Sequence, residues 1–282
     1  MIRMRPLTLW VLAAGAAAFA GPGSAQPTAE TEQFQRFAAQ EFLQDVTGGN
    51  ARQACGLVAP LGDGSRVTTR ELGLYMRELY RFQLQSNVQV PEGADVTFEP
   101  LWEPITICVA FIGDGARGEQ LVDLERTVKL ALGLDDEAMA ALRRSIGREA
   151  GTLNVKDLCL AAIRYSMGHG NDLPSAATWT DATGDFLDSK EYLRCPATVG
   201  AELRFAFNAA LDGVSWPKLA DPAQTVVFFS SDLPGDSPAG GAADAAADAD
   251  DMVYLGFADG HVQLMRRANV PPALFDPVKP IP

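Results

Sequence analysis

The chain has 282 residues, 47% hydrophobic and 21% charged, so a sizeable core can form. Its formal net charge of −13 argues against a basic phosphate-binding face and against an electrostatic hold on an anionic membrane, so no nucleic-acid partner is expected. With only two histidines, His169 and His261, a histidine-rich zinc or iron site cannot be assembled.

Residues 1–25 read as a signal peptide. MIRMR is a short basic start, LTLWVLAAGAAAFA an apolar core, and Gly23 and Ala25 take the −3 and −1 positions of a cleavage site before Gln26. The apolar run falls short of the roughly 20 residues that span a bilayer. The expectation is a periplasmic or secreted protein with no transmembrane segment in the mature chain. Loss of Arg3 and Arg5 with the leader takes the charge to about −15, which serves solubility.

The remaining length suits two domains. Phe34, Phe37, Ala38, Phe42 and Leu43 recur at helical spacing until Gly48-Gly49. A short helix runs through Cys55, and LGDGSR is a loop. Thr68 with Glu71 has the capping-box spacing, followed by a stripe of Leu72, Tyr75, Met76, Leu79 and Phe82. VTFEP and ITICVAF read as strands around an Asp114-Gly115 turn, and helices are predicted over 119–132 and, after an Asp135 cap, 136–148. A further helix is predicted over 151–167, with Leu153, Leu158, Leu160, Ala161, Ile163 and Tyr165 on its buried side, ended by MGHGNDLP. A short helical stretch leads to Cys195-Pro196, and ELRFAFNAAL and TVVFFSS are extended. Residues 235–251 form an acidic low-complexity loop, expected to be mobile because it offers little to bury. MVYLGF and HVQLM are the last strands, and PPALFDPVKPIP is a proline-rich tail over 271–282. The fold class is α+β, with an amino-terminal domain over 26–148 and a second domain over 149–270.

Cysteines number four: Cys55, Cys108, Cys159 and Cys195. An even count in an exported chain favours disulfides, and four cysteines allow three pairings. The pairing of Cys55 with Cys108 and Cys159 with Cys195 is the one that stays within the two domains.

An ordered set of words in the second half resembles the head of exported pilin-like proteins, the pseudopilin group of the prepilin-type family defined by a His ten residues before Asp-Gly. The words are Asn154 to Tyr165, Leu173-Pro174, Trp179, Tyr192-Leu-Arg-Cys195-Pro196, Phe205 to Asn208, Asp221-Pro222 and Phe257-Ala-Asp-Gly-His-Val262. Ala249 stands where that family has its histidine, and REAGTLN precedes the helix instead of a long apolar anchor. The resemblance implies one helix packed on an antiparallel sheet and a structural or adhesive role. It does not imply filament assembly through the missing anchor.

Asp259-Gly260-His261 between alternating strands reads as a hairpin turn, since glycine tolerates the positive φ of a tight reversal. Asp244, Asp248, Asp250 and Asp251 are the candidate calcium ligands, although their spacing does not match an EF-hand, and Asp172, Asp181, Asp185 and Asp188 form a second acidic set. His169, between two glycines, reads as a solvent-facing loop residue. Trp179, Trp216, Tyr192 and Phe205 suit either a core or a glycan-binding groove. No nucleophile elbow, phosphate loop or zinc-protease motif occurs. The expected function is an exported, non-enzymatic scaffold or interaction protein with an envelope or extracellular protein partner. The alternatives are an exported carboxylate-based hydrolase of polysaccharide, or a module binding calcium or a small ligand.

Overall fold

The computed structural model describes residues 41–42, 45, 50–61, 64–87, 110–112, 121–196 and 203–277. The leader, the 88–109 stretch with VTFEP and Cys108, the Asp114-Gly115 turn and most of the 32–47 stripe lie outside them. The chain divides into two compact units, Met1–Leu142 and Arg143–Pro282.

In the first unit, α1 (Ala51–Gly56) leads to α2 (Thr69–Asn87). The capping box forms as its spacing predicts. Glu71 accepts from the Thr68 amide at 2.9 Å, and the Glu71 amide donates to the Thr68 hydroxyl at 3.2 Å. Leu72, Tyr75 and Leu79 are buried on the expected stripe. Antiparallel strands β1 (Ala110–Ile112) and β2 (Leu121–Asp123) pair, and Val122 also bridges to Val58. The helix predicted over 119–132 therefore starts late, as α3 (Leu124–Leu132), because Leu121–Asp123 pairs as a strand and the Asp123 carboxylate caps Arg126.

Asp135 caps the next helix through the Ala138 amide at 2.8 Å. That helix, α4, runs unbroken over Asp136–Gly168 and merges the two helices predicted at 136–148 and 151–167. Gly147 and Gly151 do not break it. Gly151 is needed for contact, since a Cβ there would lie 2.8 Å from the Tyr254 ring. Gly170 and Asn171, at φ +68° and +70°, then turn the chain.

The second unit is α+β, the long helix packed on a five-stranded, mostly antiparallel sheet. After α5 (Trp179–Gly184) come β3 (Arg204–Asn208), β4 (Val226–Ser231), β5 (Ala239–Gly240), β6 (Met252–Phe257) and β7 (Val262–Arg266). Their order in the sheet is β5-β3-β4-β6-β7, with only β3–β5 parallel. Phe205, Phe207, Phe228 and Tyr254 face Val155, Leu158, Cys159 and Ala162 of α4. The buried side of the helix is Asn154, Val155, Leu158, Cys159, Ala161, Ala162 and Ser166; Leu158 and Ala161 lie on it as predicted, whereas Leu153, Leu160, Ile163 and Tyr165 are only half-buried. The other sheet face, with Phe229, Val253, Leu255 and Phe257, packs on Ala245, Leu274 and Phe275. Covered on both faces, β4 is buried at every residue.

Contact of α4 with β6 depends on Gly256. A Cβ there would lie 2.5 Å from Cys159 Sγ and 2.8 Å from Val155 Cγ2, both on short, stiff side chains. Gly256→Ala is expected to destabilise this unit by about 1–3 kcal/mol in urea denaturation. Adding Cys159→Ala is expected to recover part of that loss. A cost below about 0.5 kcal/mol would mean that the helix does not press on the strand.

Candidate functional site

The last hairpin collects the residues that drew attention in the sequence. Gly260 donates to the Phe257 carbonyl at 2.9 Å, and Phe257 donates to the His261 carbonyl at 3.0 Å. This is a three-residue loop with Gly260 at φ +90°, the form that a turn plus one-residue bulge takes. Asp259 Oδ1 accepts from the His261 amide at 3.0 Å and lies 2.6 Å from His261 Nδ1. The imidazole stacks on Phe257 with centroids 4.1 Å apart and planes 6° from parallel. Partial burial acts to raise the Asp259 carboxyl, but the backbone and ring hydrogen bonds from His261 outweigh it and hold the group below its ordinary range. Both functional groups are thereby engaged in shaping the turn. His169 is used similarly. It is exposed, stacked on Tyr165 at 3.9 Å, with Nδ1 2.7 Å from the Tyr165 carbonyl at the end of α4.

The acidic segment 235–251 departs from expectation, because it is fastened into the fold. Ser230 donates to the Ala246 carbonyl at 2.7 Å and Ser231 to that of Asp244 at 2.7 Å, and Ala245 and Ala246 are buried. Asp244 accepts from the Gly241 amide. Asp248 is buried, with its Oδ1 accepting from the amides of Asp250 at 2.9 Å and Met252 at 3.0 Å. Arg148 of α4 reaches Asp248 at 3.4 Å and also pairs with Asp250. Asp251 takes φ +62° in the turn before β6. Three of the four candidate calcium ligands are therefore committed within the protein, and no group of three or more metal-ligating side chains occurs among the described residues.

The cysteine pairing also differs from expectation. Cys159 and Cys195 are buried in one core cluster, yet no disulfide joins them. Asn154 Nδ2 donates to the Arg194 carbonyl, and Pro196 lies against Gly151, so the Cys195 step packs at positions 151–154 of α4. Cys159 lies five to eight residues further along α4, a rise of about 7–12 Å. Burial, with the Asp259 charge adding, pushes the Cys159 thiol well above its ordinary value, so it stays protonated and unreactive. Cys55 is half-exposed in α1, and Cys108 lies outside the described residues.

Of the four aromatics, Trp179 and Phe205 are fully buried, while Trp216 and Tyr192 are half-buried. In the first unit a depression of about 500 Å³ is bordered by Asp123, Arg126, Lys129 and Asp136. Two of its carboxylates are engaged: Asp123 caps α3, and Asp136 pairs with Lys129, which lowers the Asp136 carboxyl below its ordinary range.

What sequence reasoning missed is the edge of the sheet. The strand order ends at β7. The Phe257–His261 bond and the Arg267 amide's bond to the Asp251 carbonyl bracket the β6–β7 ladder in one register. Antiparallel alternation then aims the backbone groups of His261, Gln263, Met265 and Arg267 at β6. Those of Val262, Leu264 and Arg266 point outward. Val262 and Leu264 are half-buried on the helix face, and Gln263 and Arg266 are exposed. Neither proline, lysine nor a carboxylate interrupts the strand, so it lacks several devices that commonly blunt a sheet edge. No helix among the described residues is long and apolar enough to cross a membrane. No family model, curated protein or solved structure matches the chain.

Proposed function

We propose that the chain is an exported, non-enzymatic interaction protein of the envelope. Its second unit is a pilin-like head that offers the β7 edge to a protein partner. The observation that carries this is the outward row of backbone groups on Val262, Leu264 and Arg266, held on a rigid sheet backed by α4. Strand addition to such an edge draws affinity from main-chain hydrogen bonds.

The residues that carry the family resemblance are points of attachment in the fold, which supports the head reading. Asn154 ties α4 to the Cys195-Pro196 step. Asn208 donates to the carbonyls of Val226 and Phe275 and accepts from Ala210, joining β3, β4 and the carboxyl-terminal segment. The Asp259 amide donates to the Pro222 carbonyl at 3.3 Å, linking the Asp-Pro word to the Asp-Gly word. These links would keep a head rigid, as an interaction platform requires.

A photoreactive side chain at Gln263, in cells that make the chain, is expected to give one discrete adduct in the envelope fraction. The same probe at exposed Lys190 is expected to give none. The adduct is expected to vanish when Leu264→Pro is added, because proline removes an outward donor. Absence of any adduct from Gln263 would overturn the interaction reading.

A further inference from the structure

We infer that the occupant of the β7 edge is a second copy of this chain, the two β7 strands pairing antiparallel about a two-fold axis through Leu264. The inference rests on the interaction reading above and names its partner. Three features of the strand argue for it.

The first is register. The outward-facing residues of β7 are its first, third and fifth, Val262, Leu264 and Arg266. A two-fold through Leu264 sets each of them opposite another outward-facing residue: Leu264 opposite its own counterpart, and Val262 opposite Arg266 at both ends. Every outward N–H and C=O of the strand then finds a partner with no overhang, six hydrogen bonds in all by the alternation of an antiparallel ladder. A shift by one residue would place outward groups against groups already bonded to β6.

The second is the side chains. An axis normal to the sheet keeps α4 on the same face in both copies. The half-buried Leu264 side chains then meet across the axis, and the stem of Arg266 lies beside the partner's Val262, covering apolar surface that β7 leaves half-exposed.

The third is charge. In a chain of net charge −13, β7 and the residue after it carry Arg266 and Arg267, and the turn before it carries Asp259. The same two-fold sets Arg267 opposite the partner's His261 and diagonal to the partner's Asp259. Each end of the interface thus brings a cation to the turn's carboxylate, so the edge is complementary to itself.

The test is sedimentation equilibrium of the purified mature chain, read with the Gln263 adduct described above. The expected result is a concentration-dependent dimer and an adduct of twice the chain's mass. Leu264→Pro is expected to weaken dimerisation roughly 30-fold or more, by loss of two hydrogen bonds and a clash across the axis. The Leu264 N–H faces outward, and proline is tolerated on that side of an edge strand, so the β6 ladder is kept and thermal unfolding should fall only by the packing that the half-buried leucine side chain supplied. Arg267→Glu, outside the strand, is a second variant and is expected to weaken dimerisation about 10-fold or less by bringing like charges together. A monomer at all concentrations together with an adduct to a different protein would overturn self-pairing while leaving the interaction reading intact. A monomer with no adduct would overturn both. A dimer indifferent to Leu264→Pro and Arg267→Glu would overturn the assignment of the interface to β7.

Discussion

Trp179→Ala is expected to destabilise the Arg143–Pro282 unit by about 3–5 kcal/mol. The indole is fully buried and packs on Phe228 at 5.1 Å between ring centroids. Its Nε1 donates to the Pro238 carbonyl at 2.9 Å. Pro238 also accepts from the Phe207 amide at 2.9 Å, so its carbonyl keeps one partner when the indole is lost. The cost is therefore mostly cavity and lost contact. Trp179→Phe separates the contributions: it keeps much of the apolar volume, removes the donor, and should cost about 1–2 kcal/mol. Urea denaturation of the purified chain checks both. A loss below about 1 kcal/mol for the alanine variant would show that α5 is not anchored through this ring.

Asp248→Ala is expected to cost about 2–4 kcal/mol. The carboxylate accepts from two backbone amides at the entry to β6 and is paired with Arg148 from α4, a hundred residues away in sequence. Alanine leaves the amides of Asp250 and Met252 without an acceptor and strips Arg148 of its buried partner. Asp248→Asn keeps one oxygen for the amides and loses only the charge, so it should cost less, about 1 kcal/mol. Hydrogen exchange locates the effect: the Asp250 and Met252 amides should lose protection in the alanine variant while those in the middle of α4 keep it. Unchanged exchange at both amides would contradict the role assigned to Asp248. The same substitution tests the view that the acidic segment belongs to the fold rather than hanging from it.

Both results bear on how such a sheet carries function. The side chains of Asp259, His261 and Cys159 are used for a turn and a helix contact. Among the described residues, no strand pairs with the outer side of β7. An open edge on a rigid sheet suits recognition by strand pairing, where register supplies specificity.

The elements legible in the sequence are those decided within a few residues. Thr68 with Glu71, the Asp135 cap and the Gly260 reversal all form as their spacing predicts, because the donor and acceptor, or the required positive φ, lie within one turn of chain. The last two strands, predicted as 252–257 and 261–265, form at 252–257 and 262–266 for the same reason, since alternation is local. Tertiary contact decided the rest. The helices predicted over 136–148 and 151–167 merge into one, with the Tyr254 ring occupying the space over Gly151. The buried stripe of α4 takes in Asn154 and Cys159 through its contact with Gly256 and the Arg194 carbonyl. The acidic segment looks unable to bury anything until Ser230, Ser231 and Arg148 supply its partners from afar. Cys159 and Cys195 share a core yet stay unjoined, the Cys195 step being tied to α4 at Asn154 rather than at Cys159, and no count of cysteines reveals that. The physical reason is common to all of them: propensity and periodicity act over one turn or one alternation, whereas burial, close approach and the free edge of a sheet depend on which distant segment arrives as a neighbour.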